Sequence, residues 1–306
     1  RDVVIEERNQ RTENDPGALF AEQRNAAQYL NHPYGVPTIG WKHEAHRLTL
    51  EDAQSFYEAH YGPNNAILVV AGDVEPEEVR ALAETYYSVI PPHPDIKPRV
   101  RVKEPPQLAE RRLVFVDPRI SDSYVVRTYL APERDAGAQQ EAAALTVLAR
   151  ILGGSPQTSV FAGKLNFGPI KAVYSSAWYF GQSLDDTTFG MAVVPGEGVS
   201  LEEAEAAMDQ AVAEFLEEGV DPDDLARIKM QVRSSEIYAL DDISNAANRY
   251  GSGLTSGLTL EDIDAWPGIL DAVTADDVVA VARKVLVRQN AVTGYAMAAD
   301  TAELGQ

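Results

Sequence analysis

Five histidines, 47 acidic side chains and no cysteine set the chemistry open to this 306-residue sequence. Without cysteine there is no disulfide, no thiolate ligand and no thiol nucleophile. His43-Glu44-Ala45-His46 places two imidazoles three residues apart. A zinc-binding H-E-x-x-H helix needs them four apart, on one face. No third ligand lies near, and the segment runs into Thr49, so it reads as a solvated loop. His32 before Pro33 reads as turn chemistry, His60 as a helix-face residue and His93 as part of a Pro-rich stretch. None has Ser, Asp or Cys arranged as a triad would need. Among the carboxylates, Glu7 lies at i+4 from Val3 and i+3 from Val4, so a helix carries it over an apolar face. Glu6, about 100° round the same helix, faces solvent. The spacing equally fits an ordinary surface pair of Glu7 with Arg11 at i+4, worth about 0.2–0.5 kcal/mol. The residues alone leave both open. Tyr174, Trp178 and Tyr179 fit strand-face packing or ligand contact equally well. Gly153-Gly154 and Gly251-Ser252-Gly253 lack a phosphate-loop lysine and read as helix stops and turns.

The elements that position these residues come from hydrophobic period and caps. Thr49 opens a helix with Ala53, Phe56, Tyr57 and His60 on its apolar face, and Asn65–Val70 follows as a buried strand. Thr274 opens another, with Val281, Ala282 and Val285 inward, and Asn290-Ala291-Val292 again starts a strand. The interval from Thr49 to Asn65 is the same as that from Thr274 to Asn290, and a single offset of 225 in numbering relates the two copies. That repeat implies two related domains. Prolines between Pro91 and Pro106 mark the boundary, giving a first domain at 1–92, a linker at 93–110 and a second domain at 111–306. In the second, Arg112–Val116, Tyr124–Leu130, Ala172–Phe180 and Thr188–Val194 read as strands. Helices run up to Gly153 and Gly219. Strands and helices cluster without alternating, which predicts an α+β fold, each domain a largely antiparallel sheet packed with helices. If the second domain begins near 110, its twin begins about 115 residues ahead of Arg1, so the first domain is incomplete and the chain reads as a fragment.

Composition narrows the partners. A formal charge of −21 disfavours nucleic acid and anionic membrane surfaces, whose binding relies on Lys and Arg. No apolar run approaches the roughly 20 residues that cross a bilayer, so no membrane insertion is expected.

Several stretches then resemble one family. Arg1-Asp2-Val3-Val4-Ile5-Glu6-Glu7, His32-Pro33-Tyr34-Gly35, Ile39-Gly40-Trp41, Leu48-Thr49, Phe56-Tyr57 and Asn65 through Ala71-Gly72-Asp73-Val74 follow, in order, the pattern of pitrilysin/insulinase-type zinc peptidases, which include the mitochondrial processing peptidase. Gly153-Gly154, Ala172-Val173-Tyr174-Ser175 and the Val273–Leu286 helix fit its second half. The resemblance implies a zinc metalloendopeptidase that hydrolyses peptides or unfolded protein segments in a two-domain chamber. The family binds Zn2+ through an H-x-x-E-H helix, whose Glu is the general base, and a third, glutamate ligand further along. H-x-x-E-H does not occur here, so no catalytic residue is present in this chain and the base is expected upstream of Arg1. By the resemblance Glu7 is the metal ligand and Tyr174 a substrate-binding residue. The arginine expected seven residues before Tyr174 is replaced by Phe167, with Lys164 and Lys171 as nearby cations. Val232, the repeat counterpart of Glu7, cannot ligate a metal, so the second domain is non-catalytic. Partners implied are a peptide substrate and a homodimer or a heterodimer with a related subunit. Bacterial relatives of this size are often exported, so for a bacterial chain a periplasmic or otherwise exported location is the expectation, and the compartment itself is not read from these residues. The alternative is an inactive member serving as scaffold or partner subunit, like the core subunits of respiratory complexes. One carboxylate cannot replace three ligands. Residues 1–306 alone are therefore expected to bind zinc weakly and to lack peptidase activity; calorimetric titration with zinc showing tight 1:1 binding would contradict this.

Overall fold

The computed structural model describes residues 1–96, 100–168, 172–239 and 242–298. Five stretches rich in β-branched and aromatic residues form β1 (Arg111–Val116), β2 (Tyr124–Ala131), β3 (Ala172–Tyr179), β4 (Thr187–Pro195) and β5 (Ala291–Met297). They make one sheet in the order β1-β5-β2-β4-β3. β5 inserts between β1 and β2, parallel to the first and antiparallel to the second, and the remaining pairs are antiparallel. The expected α+β class holds, as do the strand positions expected within 111–306, with one parallel pair added.

Alternation along the strands gives the sheet two faces. Val125, Tyr129, Met191 and Tyr295 point to one side and pack against α6 (Gln140–Gly153), α7 (Leu201–Glu218) and α11 (Ala275–Val285). Gly153 is more than a helix stop: a Cβ there would overlap the backbone of Ser176 and Ala177, so its lack of a side chain lets α6 close on β3. The opposite side is covered by one helix, α2 (Pro16–Gln28), capped by Asp15. Its Phe20 is fully buried between Phe115 and Tyr124, with ring centroids 5.7 and 5.9 Å away. The ring lies over Gly294 of β5, where any Cβ would collide with it. At the end of α2, buried Gln28 accepts from Thr128 Oγ1 (2.7 Å) and donates to Gln107 (3.2 Å), which itself donates to the Ala291 carbonyl (2.8 Å). Arg111 donates to the Ala27 and Gln28 carbonyls, where the helix C-terminus favours a cation.

The helix-covered face also holds a buried charge cluster that hydrophobic patterning does not reveal. Glu205 of α7 accepts both guanidinium branches of Arg112 (2.9 and 2.7 Å), one from Arg288 (2.8 Å), and bonds from Arg127 and the Tyr295 hydroxyl. Arg127 also pairs with Asp209 and donates to Thr293 Oγ1 (3.0 Å). Burial opposes ionisation of Glu205, but the Arg112 and Tyr295 hydrogen bonds and the charge of Arg127 prevail and pull its carboxyl down to about 2.

Residues 1–96 contribute helices and no strand among the described residues: α1 (Asp2–Arg8), a π-helical turn at Asn9–Glu13, α2, α3 (Lys42–Ala45), α4 (Leu50–His60) and α5 (Pro76–Tyr87). Two expectations need correction here. Asn65–Val70 is not a buried strand: Pro63–Asn65 forms a 3-10 turn, and residues 66–70 after it join no sheet among the described residues, with Ile67, Leu68 and Val70 exposed. Likewise Ala53, Phe56, Tyr57 and His60 on α4 face solvent. Nothing among the described residues supplies the neighbouring strands and helices that such a face needs. The repeat itself is visible in the elements. α4 and α11 are both 11-residue helices, with Thr49–Asp52 and Thr274–Asp277 capping boxes, and each leads to a 3-10 turn ending at Asn65 or Asn290. Between α7 and α11 run α8 (Pro222–Ala239), α9 (Ile243–Thr255) and α10 (Leu260–Ala272). Gly251-Ser252-Gly253, expected as a turn, lies inside α9, where Gly253 makes room for Ile263.

Glu205→Gln is expected to destabilise the chain at pH 7 by about 3–5 kcal/mol, because buried Arg127 loses a charge that compensates its burial, while Arg112 and Arg288 are half-exposed and lose less. Since the folded carboxyl lies below its free value of 4.5, its contribution is complete above that pH and is lost as pH falls toward about 2. Urea unfolding between pH 7 and 3 should show wild-type stability converging on that of the variant.

Candidate functional site

Glu7 is positioned by its neighbour. Arg8 is buried, donating from Nη1 to the Gly40 carbonyl (2.6 Å) and from Nε to Glu13 (3.0 Å), and pairing through Nη2 with Glu22 of α2 at 2.9 Å. With Arg8 turned into the protein, helix geometry swings Glu7 about 100° away, to the lip of a groove. That groove, of 660 Å3, is lined by Val4, Glu7, Arg11, Glu22, Asn25 and the loop from Tyr34 to Ile39. Val3, expected beneath Glu7, is 81% exposed, so the buried anchor of α1 is a charged residue and not that valine. The Glu7 carboxylate is 44% exposed and takes Arg11 Nε at 3.2 Å, the i+4 pair that the sequence also allowed. Glu6 accepts from Asn9 and Gln10 on the solvent side.

A second structured centre is the His-Pro-Tyr-Gly loop. Glu104 reaches in from the Pro-rich stretch before β1 and accepts the backbone N–H groups of Leu30 (2.6 Å), Asn31 (2.9 Å) and His32 (2.8 Å). Burial penalises its charge, yet the three N–H donors prevail and hold its carboxyl below the usual value. His32 does cap the turn, accepting the Tyr34 N–H at Nδ1 (3.2 Å). That places the ring proton on Nε2, which faces Asp185 at 3.2 Å. Asp185 is gripped from the other side by Arg101 (2.8 Å). Desolvation raises its carboxyl, and the Arg101 hydrogen bond and charge overcome that, so it lies below the usual range. Ser183 donates to the Tyr34 hydroxyl (3.1 Å), and Tyr29 donates to the Asp186 carbonyl (3.2 Å). The 183–186 loop after β3 is thus clasped to residues 29–34 and 101. On its outer side the clasp borders a cleft of 1020 Å3 that shares Tyr34, Val36, Pro37 and Thr38 with the Glu7 groove. The Tyr34–Thr38 loop is the wall between the two.

The other histidines stay apart from this region. His43 and His46 are exposed, on or just after the short α3 and not on a loop, and His60 is exposed against Phe56. His93 accepts the Asp95 N–H. Tyr174 stands exposed on β3, the sheet's edge strand, while Tyr179 is buried and Trp178 half-buried on the same strand. Phe167 is exposed. Lys164 is taken up by Glu214 (2.5 Å) and Glu218 (3.0 Å), so it does not stand in for the absent arginine. Lys171 lies outside the described residues. Val232 is buried in the core of α8. Among the described residues no group of three or more His, Asp or Glu side chains is placed to hold a metal. One half-exposed carboxylate tied to an arginine does not make a zinc site.

Residues 47–232, more than half of the sequence, match the family model described as the peptidase M16 inactive domain. The chain belongs to the M16 peptidase family. A zinc protease, PqqE, of Helicobacter pylori is 28% identical over 258 residues, covering 83% of this chain and 56% of that protein. The crystal structure of a protease from Helicobacter pylori superposes with a TM-score of 0.88 at 22% identity, over 97% of this chain and 70% of that one. A chain of complex III2 from Candida albicans shares the fold, with a TM-score of 0.72 at 13% identity over 93% and 67%. This M16 chain therefore spans little more than half the length of the first of these relatives. The site residues that sequence reading missed, Arg8, Glu104 and Asp185, are charged residues whose partners lie far from them along the chain: Glu22 for the first, His32 for the other two. No local pattern announces such pairs.

In this M16 chain, His32→Ala removes both the turn cap and the contact with Asp185, and is expected to cost about 1–3 kcal/mol. Combined with Asp185→Ala the losses should fall short of additive by at least about 0.5 kcal/mol in a double-mutant cycle of urea unfolding; strict additivity would show the two side chains act separately.

Proposed function

We propose that this chain is the larger part of a zinc metalloendopeptidase that hydrolyses peptides or unfolded protein segments. Residues 1–92 would complete its first domain, 93–110 link, and 111–306 form the second, non-catalytic one. The observation that carries this reading is the position of Glu7: family membership and a zinc-protease relative coincide with a carboxylate held at the lip of a groove by the burial of Arg8. Glu7 would leave Arg11 to become one of three zinc ligands in the uninterrupted parent, the other two and the general base lying outside this sequence. The chain's own contribution is then positional. Arg8 fixes the rotation of α1, and the α2 platform fixes Arg8. Tyr174, exposed on an edge strand, would contact the peptide. An unpaired strand edge can hold an extended peptide through its backbone. The parent would be exported and would work as a homodimer or with a related subunit.

A second reading has specific support. Phe167 occupies the position of the family's substrate-holding arginine, and Lys164 is engaged by Glu214 and Glu218. These favour a scaffold or partner subunit without activity. Activity and metal content of the uninterrupted parent separate the two. Under the peptidase reading, wild type holds one zinc per chain and cleaves unfolded casein. Glu7→Gln should then lose most of the metal and at least about a hundredfold in kcat/KM, as expected when one of three ligands is removed. A wild-type parent that holds no zinc and cleaves nothing would hand the assignment to the scaffold.

A further inference from the structure

Arg24 is a half-buried cation without an acid, on a chain of formal charge −21. The other arginines that reach into the protein, Arg8, Arg111, Arg127 and Arg134, all donate to carboxylates or carbonyls. Among the described residues Arg24 has no such partner. Its Nε is buried without a hydrogen-bond acceptor, and its guanidinium carbon stands 5.6 Å from the centroid of the Phe20 ring, a cation–π contact. Burial pulls its pKa below the usual arginine value, and the Tyr124 hydroxyl opposes that. Asp15, which also acts on Tyr124, is engaged in capping α2 through the Gly17 N–H (2.8 Å). A buried donor without an acceptor is a cost that a bound acceptor removes, and the planar guanidinium is matched best by a carboxylate.

The side chain borders an open strip of the sheet. α2 packs on β5, β1 and β2. Beyond it on the same face, Ala192 and Val194 of β4 and Ser176 and Trp178 of β3 are half-buried, and Tyr174 is 53% exposed. Register orders them. Tyr124 precedes the pair Val125–Val193 and so stands level with Val194, which is itself opposite Tyr174. The backbones of the two tyrosines are two strands apart, about 10 Å. The next row on this face is Gly294, Val126, Ala192 and Ser176, and Phe20 lies over Gly294. Helical side chains lean toward the N-terminus, so Arg24, one turn after Phe20, returns over that row. Trp178 closes the strip, its ring seated on Gly190, where a Cβ would overlap it. A single cation is thus set on an aromatic shelf between a helix and an edge strand.

We propose that this shelf binds an acidic side chain of an extended peptide, with Arg24 taking the carboxylate and Tyr174 and Trp178 the residues on either side of it. Charge complementarity selects that occupant, and the charge of the remaining chain limits it to one acid, because a polyanion is repelled. The proposal deepens the function proposed above by naming a feature of the peptide. It rests on the peptide-binding part of that reading and not on hydrolysis.

Calorimetric binding to the uninterrupted parent tests this, with a chelator present so that no metal-dependent cleavage occurs. The probes are two nonapeptides of serine and valine, acetylated and amidated, that differ only in a central glutamate or glutamine. The glutamate peptide should bind at least about tenfold more tightly than its counterpart. Arg24→Gln should bring the two affinities within about twofold, and Arg24→Lys, which keeps the charge without the fork, should retain part of the difference. Arg24→Met, apolar and of similar length, serves in its place should the glutamine variant fail to fold. Tyr174→Ala should weaken both peptides together and leave their ratio unchanged. A ratio near one in the wild type overturns the proposal and leaves peptide binding standing. So does a preference for glutamate that survives the loss of the Arg24 charge. If neither peptide binds the parent, the proposal falls together with the peptide-binding reading on which it rests.

Discussion

The contact between Phe20 and the bare backbone of Gly294 is the constraint on which the rest of the arrangement depends. It lets α2 pack on the sheet face opposite α6, α7 and α11, and burial of such a ring is worth a few kcal/mol, about 3–5 by truncation. Everything ahead of residue 46 hangs from that helix. Glu22 on α2 receives Arg8 and so sets the rotation of α1. Gln28 at its end bonds into β2, and the loop beyond it is seized by Glu104 and Asp185. The position of the Glu7 carboxylate is thus inherited, through a chain of polar contacts, from an apolar one.

The family and the α+β class were legible because they rest on local signals. Threonine caps followed by acids, alternation in the strands and Gly-terminated helices all act within a few residues, and the corresponding elements stand where the spacing places them. The repeat was legible for the same reason. Burial was not. Phe56 and Val281 occupy equivalent positions in nearly identical helices, yet one is exposed and the other buried, because burial belongs to the neighbours and not to the helix. The polar framework was also hidden. Glu205 looks like any other acid on an amphipathic helix, and only the sheet's register brings Arg112, Arg127 and Arg288 around it. Gly153, Gly253 and Gly294 read as breaks or as nothing, whereas each marks a close approach by another element.

The candidate site shows the same division. Glu7 could be singled out by its spacing, and its pairing with Arg11 was one of the two outcomes that spacing permits. Its neighbour Arg8, which decides where it points, gave no signal, because a buried arginine is intelligible only with its acceptors in view. The His-Pro-Tyr-Gly stretch was readable as a turn. Its part in fastening the distant loop at Asp185 was not, since a capping histidine spends only one of its two nitrogens on the turn.

The seat of α2 has one more implication, for the order in which the molecule can be made. Phe20 leaves the ribosome well before the strand that receives it, β5 with Gly294, which comes last in order among the described elements. Until β5 threads between β1 and β2, there is no flat surface for the helix to land on. Residues 1–46 therefore wait for β5 before α2 can take its seat, and closing the sheet and placing the Glu7 region are coupled.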